Sequence, residues 1–393
     1  MVKSLFTIAL NNIPLRKSLI VEWAKLDSTK DSMNNNILKV LIDKKEVDIN
    51  AADQYGDNAL IYTVRNNATK CVRLLLEHGV DVNAYNNYGK TALMYAASVN
   101  DSVKCVNLLI AYGADIDARD NDGATALILA ESECMCLLVD KGADVNASNK
   151  IGLTALMRAA TSSNTAPMEA LLDHGADANT CINSGPNTLY YPISQYNPVS
   201  VLLLRSRMNA LFIAVNHNKP DLVRLLIKKG ADVNTCGPDN ETVLMRSVWC
   251  SNSACLIMLL ANGANINRVD NEGKNALSIA FEYIRFGIET YRIICILALY
   301  GAPFDAEQLL AFKKLTYKSR YSKLGVMLED FKLLDLQQQV RLNMYKHTTL
   351  VCRKTYSKTI NALIEEGKIP ERFRSFMLFE DDIEDILSVG RVC

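Results

Sequence analysis

The stretch that decides the fold runs from Gly79 to Asp117, GVDVNAYNNYGKTALMYAASVNDSVKCVNLLIAYGADID. It carries two signals. The first is a turn-to-helix element, Gly89-Lys90-Thr91-Ala92-Leu93, which recurs from Gly56 (GDNAL), Gly123 (GATAL), Gly152 (GLTAL) and Gly273 (GKNAL). The second is a Leu-rich run ending in Gly-Ala-Asp-Val-Asn or a near variant, which closes at Asn83, Asp117, Asn146, Asn179, Asn234 and Asn267. Measured at Gly79, Gly113, Gly142, Gly175, Gly230, Gly263 and Gly301, the steps are 34, 29, 33, 55, 33 and 38 residues. The underlying period is 33, and self-similarity at such a period marks a stacked repeat architecture.

Each conserved feature of the unit has a physical role. Asp53, Asn86, Asp120, Asn149 and Asp270 stand where a short polar side chain hydrogen-bonds its own backbone and holds a tight turn. The following glycine takes a positive φ without a Cβ clash. Thr91, Thr125 and Thr154 sit where a hydroxyl caps the first helix. The Val-x-x-Leu-Leu run supplies the buried stripe of a second helix, and the glycine after it supplies a left-handed C-terminal cap. One such helix pair cannot bury its own apolar face, so stability comes from stacking.

This pattern resembles the ankyrin repeat, which implies an all-α solenoid of helix-turn-helix units with β-turn tips. About eight repeats are expected over residues 15–305, behind an N-terminal helical segment at 1–14. The first repeat is divergent, with Lys45-Glu46 where Gly-Ala stands elsewhere. The 29-residue step predicts a repeat shortened in the loop before its second helix. The 55-residue step predicts an insertion near 182–205, containing Pro186, Pro192 and Pro198, as a degenerate repeat or an added loop. The 38-residue step carries an extra FGIETY stretch.

Eleven cysteines in 393 residues raise the question of disulfides or metal. The odd count and the chain length argue against a disulfide framework. Cys71, Cys105, Cys134 and Cys255 precede the same apolar run and so read as one core position filled by a small hydrophobe. The spacing Cys134-x-Cys136 is too short for a zinc pair, and His78, His174, His217 and His347 are scattered. No metal or other cofactor is expected. The turn-start Asp and Asn residues recur with the turn they stabilise, which favours structure over calcium or carboxylate chemistry.

The chain has no phosphate-binding loop, metalloprotease, nucleophile-elbow or kinase motif. Cys352 and His347 lie five residues apart and share a helix face poorly, so no thiol nucleophile is expected and the chain reads as a non-enzyme. Lys+Arg and Asp+Glu are each 43, and a balanced chain offers no bulk attraction to nucleic acid or anionic membrane. Mean hydropathy is +0.03, and no window approaches the ~18 apolar residues of a spanning helix. The N-terminal stretch lacks the small-residue cleavage site of a secretory signal. A cytoplasmic, or nuclear, soluble protein is expected.

A solenoid of this kind offers a concave face of turn tips and first helices for protein recognition. Tyr55, Arg65, Tyr85, Tyr88, Lys90, Arg119, Trp249 and Glu282 are its candidate contact residues, because aromatics and arginines are enriched at interface hot spots.

After Pro303 the period stops. Residues 306–346 read as an amphipathic helical connector. Residues 347–387 resemble the SOCS box of the ankyrin-repeat and SOCS-box protein family. Val351, Cys352, Arg353, Tyr356 and Ile360 follow that family's first motif, and Ile369, Pro370, Phe373, Phe376, Met377, Leu378 and Phe379 follow its second. Thr348 stands where the family carries leucine, and Gly367-Lys368 replaces its first Leu-Pro. The resemblance implies a small helical module in which Leu350, Val351, Cys352, Tyr356 and Ile360 dock on Elongin C of an Elongin B/C pair. It implies that Ile369, Pro370 and Phe373 contribute to recruiting a cullin of the Cullin-5 type. The solenoid would then hold a protein for ubiquitin transfer. A rival reading is an ankyrin scaffold or inhibitor whose C-terminal helices merely cap the solenoid. A third is a viral host-range ankyrin protein with a different, F-box-like tail.

Overall fold

The structure is a computed structural model. It describes residues 19–25, 38–40, 42, 47–99, 102–183, 189–192, 201–204 and 207–282, with positions 293–294, 296–297, 300, 302–303 and 308. The expected segments 1–14, 347–387 and all but one residue of 306–346 lie outside these. Two compact units, residues 1–205 and 206–393, are described each by itself.

Among the described residues of the first unit, α1 (Leu19–Lys25) is followed by four helix pairs. These are α2 (Ala59–Arg65) with α3 (Thr69–Glu77), α4 (Ala92–Ala97) with α5 (Val103–Ala111), α6 (Ala126–Leu129) with α7 (Ser132–Asp140), and α8 (Ala155–Ala159) with α9 (Ala166–Asp173). In the second unit, α10 (Ala210–Asn216) pairs with α11 (Pro220–Lys228), α12 (Val243–Trp249) pairs with α13 (Ser253–Ala261), and α14 (Ala276–Glu282) follows. First helices stack on first helices and second on second, α2 on α4 and α3 on α5 for example.

The expected local chemistry is present. Thr91, Thr125 and Thr154 accept from the backbone N–H of Met94, Ile128 and Met157. Asn58 and Asn209 cap α2 and α10 in the same way. Gly79 and Gly113, behind α3 and α5, have φ of 77° and 86°, a conformation that costs a side-chain-bearing residue free energy. Cys71, Cys105, Cys134 and Cys255 are at most 2% exposed, and none of the described cysteines is bonded to another. Burial pushes the thiols of Cys105 and Cys134 up, the reverse of what a nucleophile needs.

Two expectations are corrected. The short repeat loses the last turn of its first helix as well as the loop. α6 has four residues, and only Ala130 and Glu131 separate it from α7, with Glu131 N–H donating back to Ala97 O at 2.9 Å. The second correction is local: the described solenoid is all-helical as expected, but the insertion near 182–205 carries a strand pair. β1 (Leu189–Pro192) and β2 (Val201–Leu204) form an antiparallel pair in which Leu189 faces Leu204 and Pro192 faces Val201. The segment is rich in Leu, Tyr and Val, which suit extended backbone.

A second seam joins the repeats behind the second helices. Asn83 Oδ1 accepts Asp115 N–H at 2.8 Å, and its Nδ2 donates to Gly113 O at 3.2 Å. Asn146 and Asn234 bridge forward in the same two ways. Asp117 occupies this position in the third repeat and accepts from Asp144 N–H, but a carboxylate has no N–H to offer Gly142 O. Asp117→Asn supplies that donor, so it is expected to stabilise the chain by about 0.5–1 kcal/mol. Urea unfolding checks this, and an unchanged or lower midpoint counts against the bridge as a source of stability.

Candidate functional site

The site is built from the turn tips of the first unit. Within each turn the leading Asp or Asn accepts from two backbone N–H groups. Asn86 Oδ1 takes those of Tyr88 and Lys90, both at 3.0 Å, and Asp120 and Asn149 repeat the pattern. The turns are also tied to one another. Asn87, Asn121, Lys150 and Asn183 donate their backbone N–H to Tyr55, Tyr88, Asp122 and Ile151 O, at 2.9–3.0 Å. Asn87 and Asn121 add side-chain bonds to Gln54 O and Asn87 O. Each tip is therefore fixed by its neighbour, and side chains on the row need little further ordering to bind.

On this row Tyr85 is 72% exposed, Tyr88 56% and Tyr55 51%. Tyr55 and Tyr88 occupy the same position of consecutive turns, two residues past the turn start, and Tyr85 and Arg119 each precede one. Arg119 is turned to structural use, donating to Gly123 O and to Ser148 O at 2.7 Å.

Behind the tips lies a layer that crosses repeats. Asp53 is its first node. Its carboxylate accepts from Tyr62 Oη at 2.8 Å and from the N–H groups of Tyr55 and Asp57, and it pairs with Lys25 Nζ at 3.3 Å. Burial pushes this carboxyl up, but these hydrogen bonds outweigh it and leave it below its ordinary value. Burial and Asp53 together push Tyr62 up to about 12. Lys25 is raised by its 2.8 Å bond to Glu22, against burial, with help from Asp53.

The second node is Asn86. Its Nδ2 donates to Asp57 Oδ1 at 2.7 Å and to Tyr95 Oη at 2.9 Å, and Arg65 holds the other Asp57 oxygen at 3.2 Å. Cations and rings alternate above these acids. Lys25 lies over Tyr62, Arg65 over both Tyr62 and Tyr95, and Lys90 over Tyr95, at 5.5–6.0 Å from the ring centres, within reach of a cation–π contact. Burial lowers Lys90, opposed by Asp120 and Asp122. Farther along, Arg158 is buried and pairs with Glu131 of the preceding repeat at 3.3 Å.

Of the sequence candidates, Tyr55, Tyr85, Tyr88, Lys90, Arg65 and Arg119 thus fall in this unit, Arg65 within the inner layer. Trp249 and Glu282 lie in the second unit, each seven residues past its helix-capping position, as Arg65 is. Trp249 is exposed at the end of α12, and Glu282 pairs with Lys274 at 2.8 Å. Leu350, Val351, Cys352, Tyr356, Ile360, Ile369, Pro370 and Phe373 lie outside the described residues. Sequence reasoning missed Lys25, Asp53, Asp57, Tyr62, Asn86 and Tyr95 as a layer. A signal existed: the fourth residue past each cap is Tyr62, Tyr95, Arg158 or Arg246 in four repeats. Among the described residues no cluster could hold a metal ion, and no helix is long and apolar enough to cross a membrane.

Comparison with known proteins agrees with this geometry. The family model "Ankyrin repeats (3 copies)" matches residues 29–120, 85–149, 125–210, 194–270 and 211–307, and none of these segments reaches 347–387. An ankyrin repeat protein of Acanthamoeba polyphaga mimivirus is 32% identical over 102 residues, 26% of this chain and 59% of the relative. Ankyrin repeat and SOCS box protein 6 of Homo sapiens is 32% identical over 123 residues, 31% of this chain and 24% of the relative. A Caenorhabditis elegans homolog of the transient receptor potential cation channel subfamily A member 1 is 31% identical over 124 residues, 32% of this chain and 8% of the relative. The chain thus spans less than two thirds of each. With both repeat signals realised as geometry and the family model running from residue 29 to 307, the chain belongs to the ankyrin-repeat family.

Proposed function

We propose that this chain is a non-catalytic recognition subunit that holds a protein partner on its turn-tip face and links it to ubiquitin transfer through residues 347–387. One observation carries the recognition half. Three exposed tyrosines stand on a row of turns already locked to one another by hydrogen bonds, so a partner gains aromatic contact area at small ordering cost. The ligase half is supported by the resemblance of 347–387 to the SOCS box and by the partial likeness to Ankyrin repeat and SOCS box protein 6. A box of about forty residues is too small to bury a core alone, so its apolar residues would order against Elongin surfaces.

The expected result is co-purification of Elongin B/C with the full chain, lost when Cys352→Asp and Ile369→Asp are combined. If Elongin B/C does not co-purify, or still binds the double variant, the ligase reading fails. The chain is then a scaffold or inhibitor acting through the repeats alone.

A further inference from the structure

We propose that the loop Tyr85–Lys90, with Tyr55 beside it, recognises an acidic segment of a protein partner, one carboxylate seating on Lys90 and a neighbouring apolar or aromatic side chain lying on Tyr88. The proposal deepens the recognition reading above and rests on it.

Lys90 differs from the other cations of the layer. Lys25 has Asp53 and Glu22, and Arg65 has Asp57, each within ion-pair distance. Lys90 is half-buried with its ammonium over the Tyr95 ring, and no described carboxylate comes within ion-pair distance of it. A partly desolvated charge without a counter-ion is costly, and a docking carboxylate recovers that cost. Two acids act on Lys90 from the following turn, Asp120 and Asp122. Asp120 is buried with Oδ1 taken by the N–H groups of Asp122 and Ala124. Asp122 is exposed and occupies the turn position that Tyr55 and Tyr88 hold in the two preceding repeats. A carboxylate arriving at Lys90 is therefore repelled from the Asp122 side and favoured on the tyrosine side, where 56% of Tyr88 and 72% of Tyr85 are exposed. A basic or neutral segment leaves Lys90 with Asp120 and Asp122 alone, neither within ion-pair distance, which is why charge selects the acidic one.

The probe is a phage-displayed library of random peptides selected on the full chain. Enriched sequences are then synthesised with their Glu/Asp→Gln/Asn counterparts and titrated by fluorescence anisotropy. The expected peptides carry a carboxylate next to an aromatic or aliphatic residue. Lys90→Met keeps the apolar stem against Tyr95 and removes the charge, so it weakens binding about tenfold for the acidic peptide and little for its amide counterpart. Asp122→Asn tightens the acidic peptide about two- to threefold, and Tyr88→Ala weakens both forms. A melting curve like that of the unsubstituted chain shows that each variant is folded. Absence of enrichment, enrichment without acidic residues, or equal binding by Lys90→Met overturns the proposal. Elongin B/C capture by the same variants is read separately. Its persistence after a failed selection leaves the ligase reading standing, and its absence beside a successful one removes that reading alone.

Discussion

Asn86→Asp is expected to destabilise the chain by about 3 kcal/mol at pH 7, although Asp is the turn-start residue of three other repeats, at Asp53, Asp120 and Asp270. The turn itself would survive, because an Asp oxygen can accept from Tyr88 and Lys90 N–H as Asn86 Oδ1 does. The other end of the side chain decides the outcome. Asn86 Nδ2 donates to Asp57 Oδ1 at 2.7 Å and to Tyr95 Oη at 2.9 Å, and both Asn86 and Asp57 are buried. In the variant two buried carboxylates face each other across that short distance, with one guanidinium, Arg65, paired to the other oxygen of Asp57. Like charges so placed cannot both ionise without cost, and the lost donor adds its own penalty.

The sign of the pH dependence follows. The facing pair raises the pKa of one carboxyl in the folded variant above its unfolded value, so the folded state takes up a proton as pH falls. The stability gap to the unsubstituted chain is therefore widest near neutral pH and narrows as pH drops through the raised value. Urea midpoints at pH 7 and pH 5 for both chains check this. A loss below 1 kcal/mol, or a gap that widens on acidification, sinks the argument.

The same contrast explains how much of the molecule is legible in its sequence. Turn starts, threonine caps, positive-φ glycines and the cysteine core position each depend on bonds within a few residues, and each recurs at the period. Such features announce themselves. The layer running from Lys25 to Lys90 is built instead from partners in different repeats. Asn86 meets Asp57 and Arg65 meets Tyr95, and the consensus is silent about them because only those repeats carry those residues. Glu131 with Arg158 is a further pair of the same kind. The exposed tyrosines were legible because position alone puts them at the tips. The structural bonds of Arg119 are not legible, because one of its two carbonyl acceptors, Ser148 O, belongs to the next turn. The β1–β2 pair was obscured by three prolines and by the absence of any repeat signal, leaving only short apolar runs that fit strand or helix equally. For residues 347–387 the sequence offers a resemblance alone.

Gly237→Ala is expected to cost about 2–3 kcal/mol, the second large effect, and the cause lies in the preceding repeat. Gly237 stands where the other turns begin with Asp or Asn, and its backbone keeps the turn bond, donating to Glu241 O at 2.8 Å. Its φ of −87° suits any residue, so glycine is not there for conformational freedom. A Cβ at this position would lie 2.6 Å from Phe212 Cε2 and 2.7 Å from Cζ. Phe212 is fully buried in α10, at the place that Met94, Met157 and Met245 hold in other repeats, and Arg246 covers its ring at 5.2 Å. The larger ring has thus displaced the turn-start side chain. Pro238 and the positive-φ pair Asp239 and Asn240 shape the turn in its place. Overpacking a ring that cannot step aside carries a cost of this size. Phe212→Met, which restores the residue of the sister repeats, loses packing and the Arg246 contact by itself, yet it makes room for the new methyl group. The double variant Phe212→Met with Gly237→Ala is therefore expected to be at least about 1.5 kcal/mol more stable than the sum of the two single losses, a coupling that distant, independent sites do not show. Strict additivity in a double-mutant cycle of urea unfolding would mean that something other than the Phe212 ring keeps this position empty.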